Sequence, residues 1–326
     1  MTRSASWLLS AGALLFIGVL VSQGLPAVLS TLALAGWGLL LIAAFHLVPL
    51  VLDAVAIRVL FAHSATRTPM RDAVLARWVG ESANSLMPAG QLGGPLLMAR
   101  YLAQRGMPMD GAAAAITVST TLQTFAQILF ALVGVALLGA HTEGTQRLAV
   151  LVVSGVLALQ VGGFYFLQRR GFFGRLTRAA TRFSKRDWSG WVSKAEAMDQ
   201  AIQSTYRRPG PVTASFHLSL VGWFAGTGEV YLIARMLGHP LSWSDALLLE
   251  SLGQAIRGAA FAIPGALGIQ EGGYLLLAPL AGLPADVALA LSLAKRAREL
   301  LLGVPGLLYL HFWERGGTRT VRAAPP

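Results

Sequence analysis

The chain has 326 residues, of which 55% are hydrophobic and 13% charged, with a mean hydropathy of +0.60. That composition excludes an ordinary soluble domain and marks a polytopic membrane protein. There is no cysteine, which excludes disulfides, thiol catalysis and thiolate metal sites. All but three of the 26 basic residues are arginine, and the net charge is +11. In a membrane protein such an excess marks cytoplasmic loops beside anionic lipid, not a nucleic-acid surface.

In chain order, a first apolar helix is predicted at 7–22, followed by an uncharged loop at 23–31. No Ala-x-Ala site follows it, so it reads as a helix and not as a signal peptide. A second helix runs from 32 to 61 and carries His46, Pro49, Asp53 and Arg58 toward its far end. Arg67, Arg71 and Arg77 come next. Residues 78–103 form a broken segment around Met87–Gly94, with Glu81 and Asn84 ahead of Pro88 and Gln91 after it. Helices are predicted at 110–138 and 148–167, joined by a loop with one acid, Glu143, and no Lys or Arg.

Residues 168–211 then change character, with ten basic residues against three acids. Phe172, Phe173, Leu176, Ala180 and Phe183 fall on one helical face. Arg175, Arg178, Arg182 and Arg186 fall on another, and Trp188 and Trp191 follow. This pattern fits a helix lying on the anionic inner leaflet. A further helix at 212–237 contains Glu229. The second broken segment, 245–281, contains Glu250, Arg257 and the stretch Ala262–Gly273, which carries Pro264, four glycines and Glu271. A last helix spans 284–312. Proline and glycine in such density break a membrane helix. Non-helical backbone at membrane depth persists only against protein or a water-filled cavity. Each broken segment is therefore expected to be a re-entrant hairpin.

Placing the arginine-rich stretches inside predicts about six full crossings plus two oppositely oriented hairpins, with both termini cytoplasmic. A shift of 176 residues maps Pro88 onto Pro264, Gly106-Met-Pro108-Met-Asp110 onto Gly282-Leu-Pro284-Ala-Asp286, and Asp53 onto Glu229. At a shift of 169, Glu81-Ser82 resembles Glu250-Ser251. The expected fold is an all-α integral membrane domain over 1–326, built as an inverted repeat (32–138 and 208–314) around the basic segment 168–211. Paired broken helices in two such halves mark a transporter binding site.

The last helix carries Lys295, Arg296, Arg298 and Glu299 between apolar flanks. Each charge would cost roughly 2.5–3.5 kcal/mol at a helix centre unless paired or wet. Lys295 and Arg296 lie within helical pairing distance of Glu299. Glu250, Glu271 and Arg257 of the second hairpin are the expected outside partners. These seven groups hold four cations and three anions, a positive excess suited to an anionic headgroup. The alternative is a fully paired structural cluster. Asn84 and Gln91 either bind a headgroup or satisfy freed backbone groups. Asp53–Arg58 and Glu229–Arg235 read as structural pairs or interfacial anchors. His46 and His217 read as lone histidines and not as ligands.

No phosphate loop, His-Glu-x-x-His or Gly-x-Ser-x-Gly occurs. An enzyme is not expected, nor is a cofactor or metal. With no soluble domain for ATP or another cosubstrate, pumping driven by one is not expected either. Asn84-x-x-x-Pro88 with Gly93-Gly94, and Pro264-Gly-Ala-Leu-Gly268-Ile-Gln-Glu271, resemble two signature stretches of the lysylphosphatidylglycerol synthase transmembrane (flippase) region family. The resemblance covers roughly residues 30–315. The run Leu-Ala-Lys295-Arg-Ala-Arg-Glu299-Leu-Leu-Leu-Gly-Val-Pro-Gly resembles the hopanoid-biosynthesis-associated members. Aminoacyl-lipid synthases of the family carry a soluble catalytic domain after the membrane part. This chain ends at Pro326, so the resemblance implies lipid translocation and not synthesis. It implies a bacterial inner-membrane protein whose substrate is a hopanoid or a lipid handled alongside hopanoids. The headgroup site would comprise Glu81, Asn84, Pro88, Gln91, Arg257, Pro264, Gly268, Glu271, Lys295, Arg296, Arg298 and Glu299. A neutral polyol hopanoid does not call for a cationic cavity, which leaves the substrate open. The second expectation is a lipid-binding scaffold that docks biosynthetic enzymes through 172–206.

Overall fold

A computed structural model describes residues 36–61, 68–87, 93–139, 189–260, 266 and 268–322, together with 155, 159, 162, 163, 165–167, 170, 171 and 175. Among them every regular element is helical. The helices are α1 (Gly38–Leu60), α2 (Met70–Leu86), α3 (Gly93–Gln104), α4 (Met109–Gly139), α5 (Ser189–Tyr206), α6 (Pro209–Met236), α7 (Trp243–Ala259), α8 (Ile269–Leu277) and α9 (Ala285–Arg322), with a 3-10 turn at Ala278–Ala281. The protein is all-α. The expected first helix, 7–22, lies outside the described residues, as do nearly all of the fourth and of the stripe 172–188.

α1 and α4 are long and apolar enough to cross a membrane. The outward face of α1 carries Leu40, Leu41, Leu47, Val48 and Val51, all exposed, while Ile42, Leu50, Ala54 and Ile57 are buried against the other helices. Exposed apolar residues in such a row face lipid, because no water-side gain would hold them there. α1 packs along α6. Gly228 of α6 makes this close: a Cβ there would lie 2.5 Å from the Phe45 ring of α1.

Both expected hairpins are paired helices. α2 and α3 pack on each other, as do α7 and α8. Their described parts stop at Met87 and Ala260, where the glycine- and proline-rich stretches begin. α7 starts on an N-cap, Ser242, whose Oγ accepts from the Asp245 N–H at 3.1 Å. α8 starts after Gly268, held at φ +78° in the left-handed region that a side chain would strain.

Two helix pairs that cross between the N- and C-terminal halves meet in the same way. α9 packs on α2 and α4 packs on α7, each at a serine–glycine seam. A Cβ on Gly306 (α9) would lie 2.1 Å from Ser82 Oγ (α2), and one on Gly134 (α4) would lie 2.0 Å from Ser251 Oγ (α7). Small residues let membrane helices approach closely enough to gain packing that lipid cannot supply. Gly134→Ala should therefore cost about 1–3 kcal/mol by overpacking. Combining it with Ser251→Gly should recover much of that, less about 0.5 kcal/mol of lost helix propensity. Thermal unfolding in detergent tests both.

α5 lies against α4 and buries Ile202, Tyr206 and Asp199. It is thus docked on the bundle over part of its length. Arg175 is exposed, while Arg178, Arg182 and Arg186 lie outside the described residues.

Candidate functional site

Between the hairpins lies a cavity of about 210 Å³. One enclosed water needs about 10–15 Å³ by this measure, so the space is large enough for a polar headgroup. α1 contributes His46 and Asp53 to its wall, and α6 contributes Trp223 and Glu229. Hairpin one supplies Arg77, Glu81, Asn84 and Ser85; hairpin two supplies Glu250, Gln254 and Arg257. α4 adds Thr120, Gln123, Thr124 and Gln127, and α9 adds Arg298 and Glu299.

The charges form two layers. In the first, Lys295 lies behind the cavity wall, is 1% exposed, and its Nζ lies 2.6 Å from Glu250 Oε2. The same oxygen accepts from the Tyr274 hydroxyl at 3.0 Å, and Glu250 Oε1 accepts from the Gln254 amide at 2.8 Å. Arg296 donates through Nε to Glu271 at 3.0 Å, through Nη1 to Glu299 at 3.0 Å, and through Nη2 to the Ala266 carbonyl at 3.2 Å. Glu271 Oε2 accepts from the Gly268 N–H at 2.8 Å, so one carboxylate caps α8 and ties the tip of hairpin two to α9. Arg257 completes this layer by pairing with Glu299 and donating to Gln270.

The second layer joins the two halves of the chain. Arg298 Nε lies 3.0 Å from Glu229 Oε1, and its Nη1 lies 3.6 Å from Glu81 Oε1. His46 sits between the same two acids, Nδ1 at 3.0 Å from Glu229 and Nε2 at 2.6 Å from Glu81. Arg77 pairs with Asp53 at 2.7 Å, and Gln123 donates to the same Asp53 oxygen at 2.7 Å. An ionised carboxylate only accepts, so with its proton on, as an imidazolium, the ring can donate to both acids at once.

The structure corrects several expectations. Glu81, Asn84, Arg257, Arg298 and Glu299 border the cavity. Lys295, Arg296, Glu271 and Gly268 do not; they lie behind its wall, and the first three are buried and paired. Pro88, Gln91 and Pro264 lie outside the described residues. Asn84 Oδ1 accepts from the Gly94 N–H at 2.9 Å, which closes hairpin one on itself. Asp53 pairs with Arg77 rather than Arg58, and Glu229 with Arg298 rather than Arg235. His46 is no lone histidine. The spacing that could have found it is seven residues: His46 and Asp53 share one face of α1.

The positive excess also disappears. Three neighbouring ion-pair groups together hold five permanent cations (Arg77, Arg257, Lys295, Arg296, Arg298) and six carboxylates (Asp53, Glu81, Glu229, Glu250, Glu271, Glu299). A proton on His46 would bring the sum to neutrality. Glu271→Gln tests the layering. The amide keeps one acceptor, and Arg296 keeps Glu299, so a loss of about 1–3 kcal/mol in thermal unfolding is expected, without a change in what the cavity accepts.

No curated protein matches the chain. The family described as Lysylphosphatidylglycerol synthase TM region matches residues 5–306. With that match over most of its length, the chain belongs to the lysylphosphatidylglycerol synthase transmembrane-region family, a membrane-protein family linked to lipid modification or flipping.

Proposed function

We propose that the protein moves a polar-headed lipid, a hopanoid or a lipid handled alongside hopanoids, between the leaflets of a bacterial inner membrane. The observation that carries this reading is the polar cavity walled by both hairpins together. A scaffold would be served by a closed core; a carrier needs a place for the headgroup between elements that can move apart. Without the positive excess the site suits a neutral or zwitterionic headgroup, so the objection to a polyol hopanoid falls away. The reading is of a carrier and not an enzyme.

The two matching helix pairs support an inverted repeat, with hairpin one entering from the cytoplasm, hairpin two from outside, and both termini inside. The exposed Arg175 and its neighbours would then meet anionic inner-leaflet lipid. Because the chain has no cysteine, single cysteines report topology directly. Gln104→Cys should react with an impermeant reagent from the cytoplasmic side and His239→Cys from outside; reaction of both from one side would end the inverted arrangement.

Transfer is measured in vesicles of phosphatidylethanolamine and phosphatidylglycerol carrying a polyol hopanoid, with outer-leaflet diols scored by periodate cleavage. The protein should speed transfer at least about tenfold over empty vesicles. Unchanged transfer of the hopanoid and of the head-labelled host phospholipids would overturn the proposal.

A further inference from the structure

We infer that His46 is a proton-binding site that couples the translocation cycle to a transmembrane proton gradient, an inference that rests on the transport reading above. Four helices meet at this ring. α1 supplies His46 itself and Asp53; α2 brings Glu81 and Arg77, α6 brings Glu229, and α9 brings Arg298. α4 contributes the neutral Gln123. The ring is mostly enclosed, with a side chain 13% exposed, and it borders the cavity. A proton therefore has a path to the site, and a headgroup would lie beside it.

The geometry provides two arrangements of the same groups. With the proton on, His46 Nε2–H donates to Glu81 and Nδ1–H to Glu229, binding hairpin one to both α1 and α6. Arg298 Nη1 already stands 3.3 Å from His46 Nε2. When the Nε2–H bond breaks, the proton passes to solvent reaching the cavity and the electron pair stays on Nε2. Nε2 then becomes an acceptor, and the nearest donor is Arg298 Nη1. Arg298 turns toward the ring while its Nε keeps Glu229, and Glu81 loses its nearest donor. Glu81 is the most exposed carboxylate of these ion pairs, 22% against 13% for Asp53 and 3–5% for the acids of the first layer. It is therefore the member free to swing into the cavity. There a headgroup hydroxyl or amine can take the place of the lost donor.

Protonated His46 and a headgroup thus compete for one carboxylate, which is the requirement for coupling. The charge count points the same way. The twelve groups together are neutral with the proton on and carry one negative charge with it off, and buried groups hold that state only if something else compensates.

The experiment uses the full chain, labelled with nitrogen-15 at histidine, in detergent and then in vesicles. The His46 signal is assigned by its loss in His46→Gln. It should show both ring nitrogens protonated at neutral pH and one at alkaline pH. Ser85→Cys, on hairpin one beside the cavity, should change its rate of labelling by a water-soluble maleimide at least tenfold across that same step. In the His46→Gln background its labelling should not change. In the hopanoid vesicles, reversing an imposed pH gradient should change the rate of transfer in one direction by about tenfold. A ring with one proton at every pH overturns the inference, as does flat Ser85→Cys labelling. Transfer that ignores the gradient overturns the coupling and leaves the transport reading standing. No transfer at all, with the labelling step intact, overturns transport and coupling together and leaves His46 a titrating structural group.

Discussion

Lys295→Met should destabilise the protein by about 3–5 kcal/mol, and Glu250→Gln by a similar amount, because each removes one partner of a fully buried pair and strands the other. Lys295 is 1% exposed, and among the described residues its Nζ has one carboxylate within bonding distance, Glu250 at 2.6 Å. The Tyr274 ring, 6.0 Å away, offers a cation–π contact that cannot replace a full charge. In the double variant no charge is stranded. The amide put in place of the Glu250 carboxylate would still accept from the Tyr274 hydroxyl, and methionine fills most of the lysine volume. The double variant should recover more than half of the single-variant loss, a coupling energy above about 2 kcal/mol in a double-mutant cycle. Thermal and denaturant unfolding in detergent give all four corners. Additive losses would mean that the two groups do not depend on each other and that the layer around Lys295 is not held by this pair.

Much of this arrangement was legible in the sequence. Charges inside an apolar run have nowhere to go but a partner or water, so Lys295, Arg296, Arg298 and Glu299 declared themselves. The same reasoning selected Glu250, Glu271 and Arg257, all of which pair with α9. The hairpins were legible for a different reason. Proline and glycine set local backbone limits that hold whatever the tertiary structure, and α2 and α7 end where those residues begin.

Which charge faces the cavity was not legible. Neighbouring residues on a helix point about 100° apart, so the facing side of Arg296 or Arg298 depends on the rotation of α9 about its axis. That rotation is set by packing on α2 and α8, not by α9 itself. Lys295 was expected to reach Glu299; instead Arg296 and Arg257 occupy Glu299, and Lys295 takes Glu250. The positive excess arose because Asp53 and Glu229 were set against near neighbours in the chain, Arg58 and Arg235, and Glu81 was left out of the count. Their partners lie on other helices, at separations only the fold can close. His46 carried no signal of its own beyond its seven-residue offset from Asp53.

Arg298→Gln should abolish lipid transfer and cost about 3–5 kcal/mol, as removal of the charge shared by both halves. Arg298 is 5% exposed and reaches Glu229 through Nε while Nη1 stands near both Glu81 and His46. Without it, among the described residues, Glu229 is left with His46 alone, and Glu81 with His46 and the more distant Arg77 at 3.9 Å. Arg298→Lys is the more telling variant, since it keeps the charge and removes the geometry. A guanidinium presents Nε and Nη1 as a planar fork that can serve acids on α6 and α2 at once, whereas an ammonium on a flexible stem is a single point charge. If Arg298 serves only as a counter-charge, lysine should restore both stability and transfer. If it holds α2, α6 and α9 in register around the cavity, lysine should recover most of the stability and leave transfer at least about tenfold slow. We expect the second result, read from thermal unfolding beside leaflet-resolved transfer in the same vesicles. Full recovery of transfer by lysine would show that the cavity needs the charge of Arg298 and not its two-sided grip.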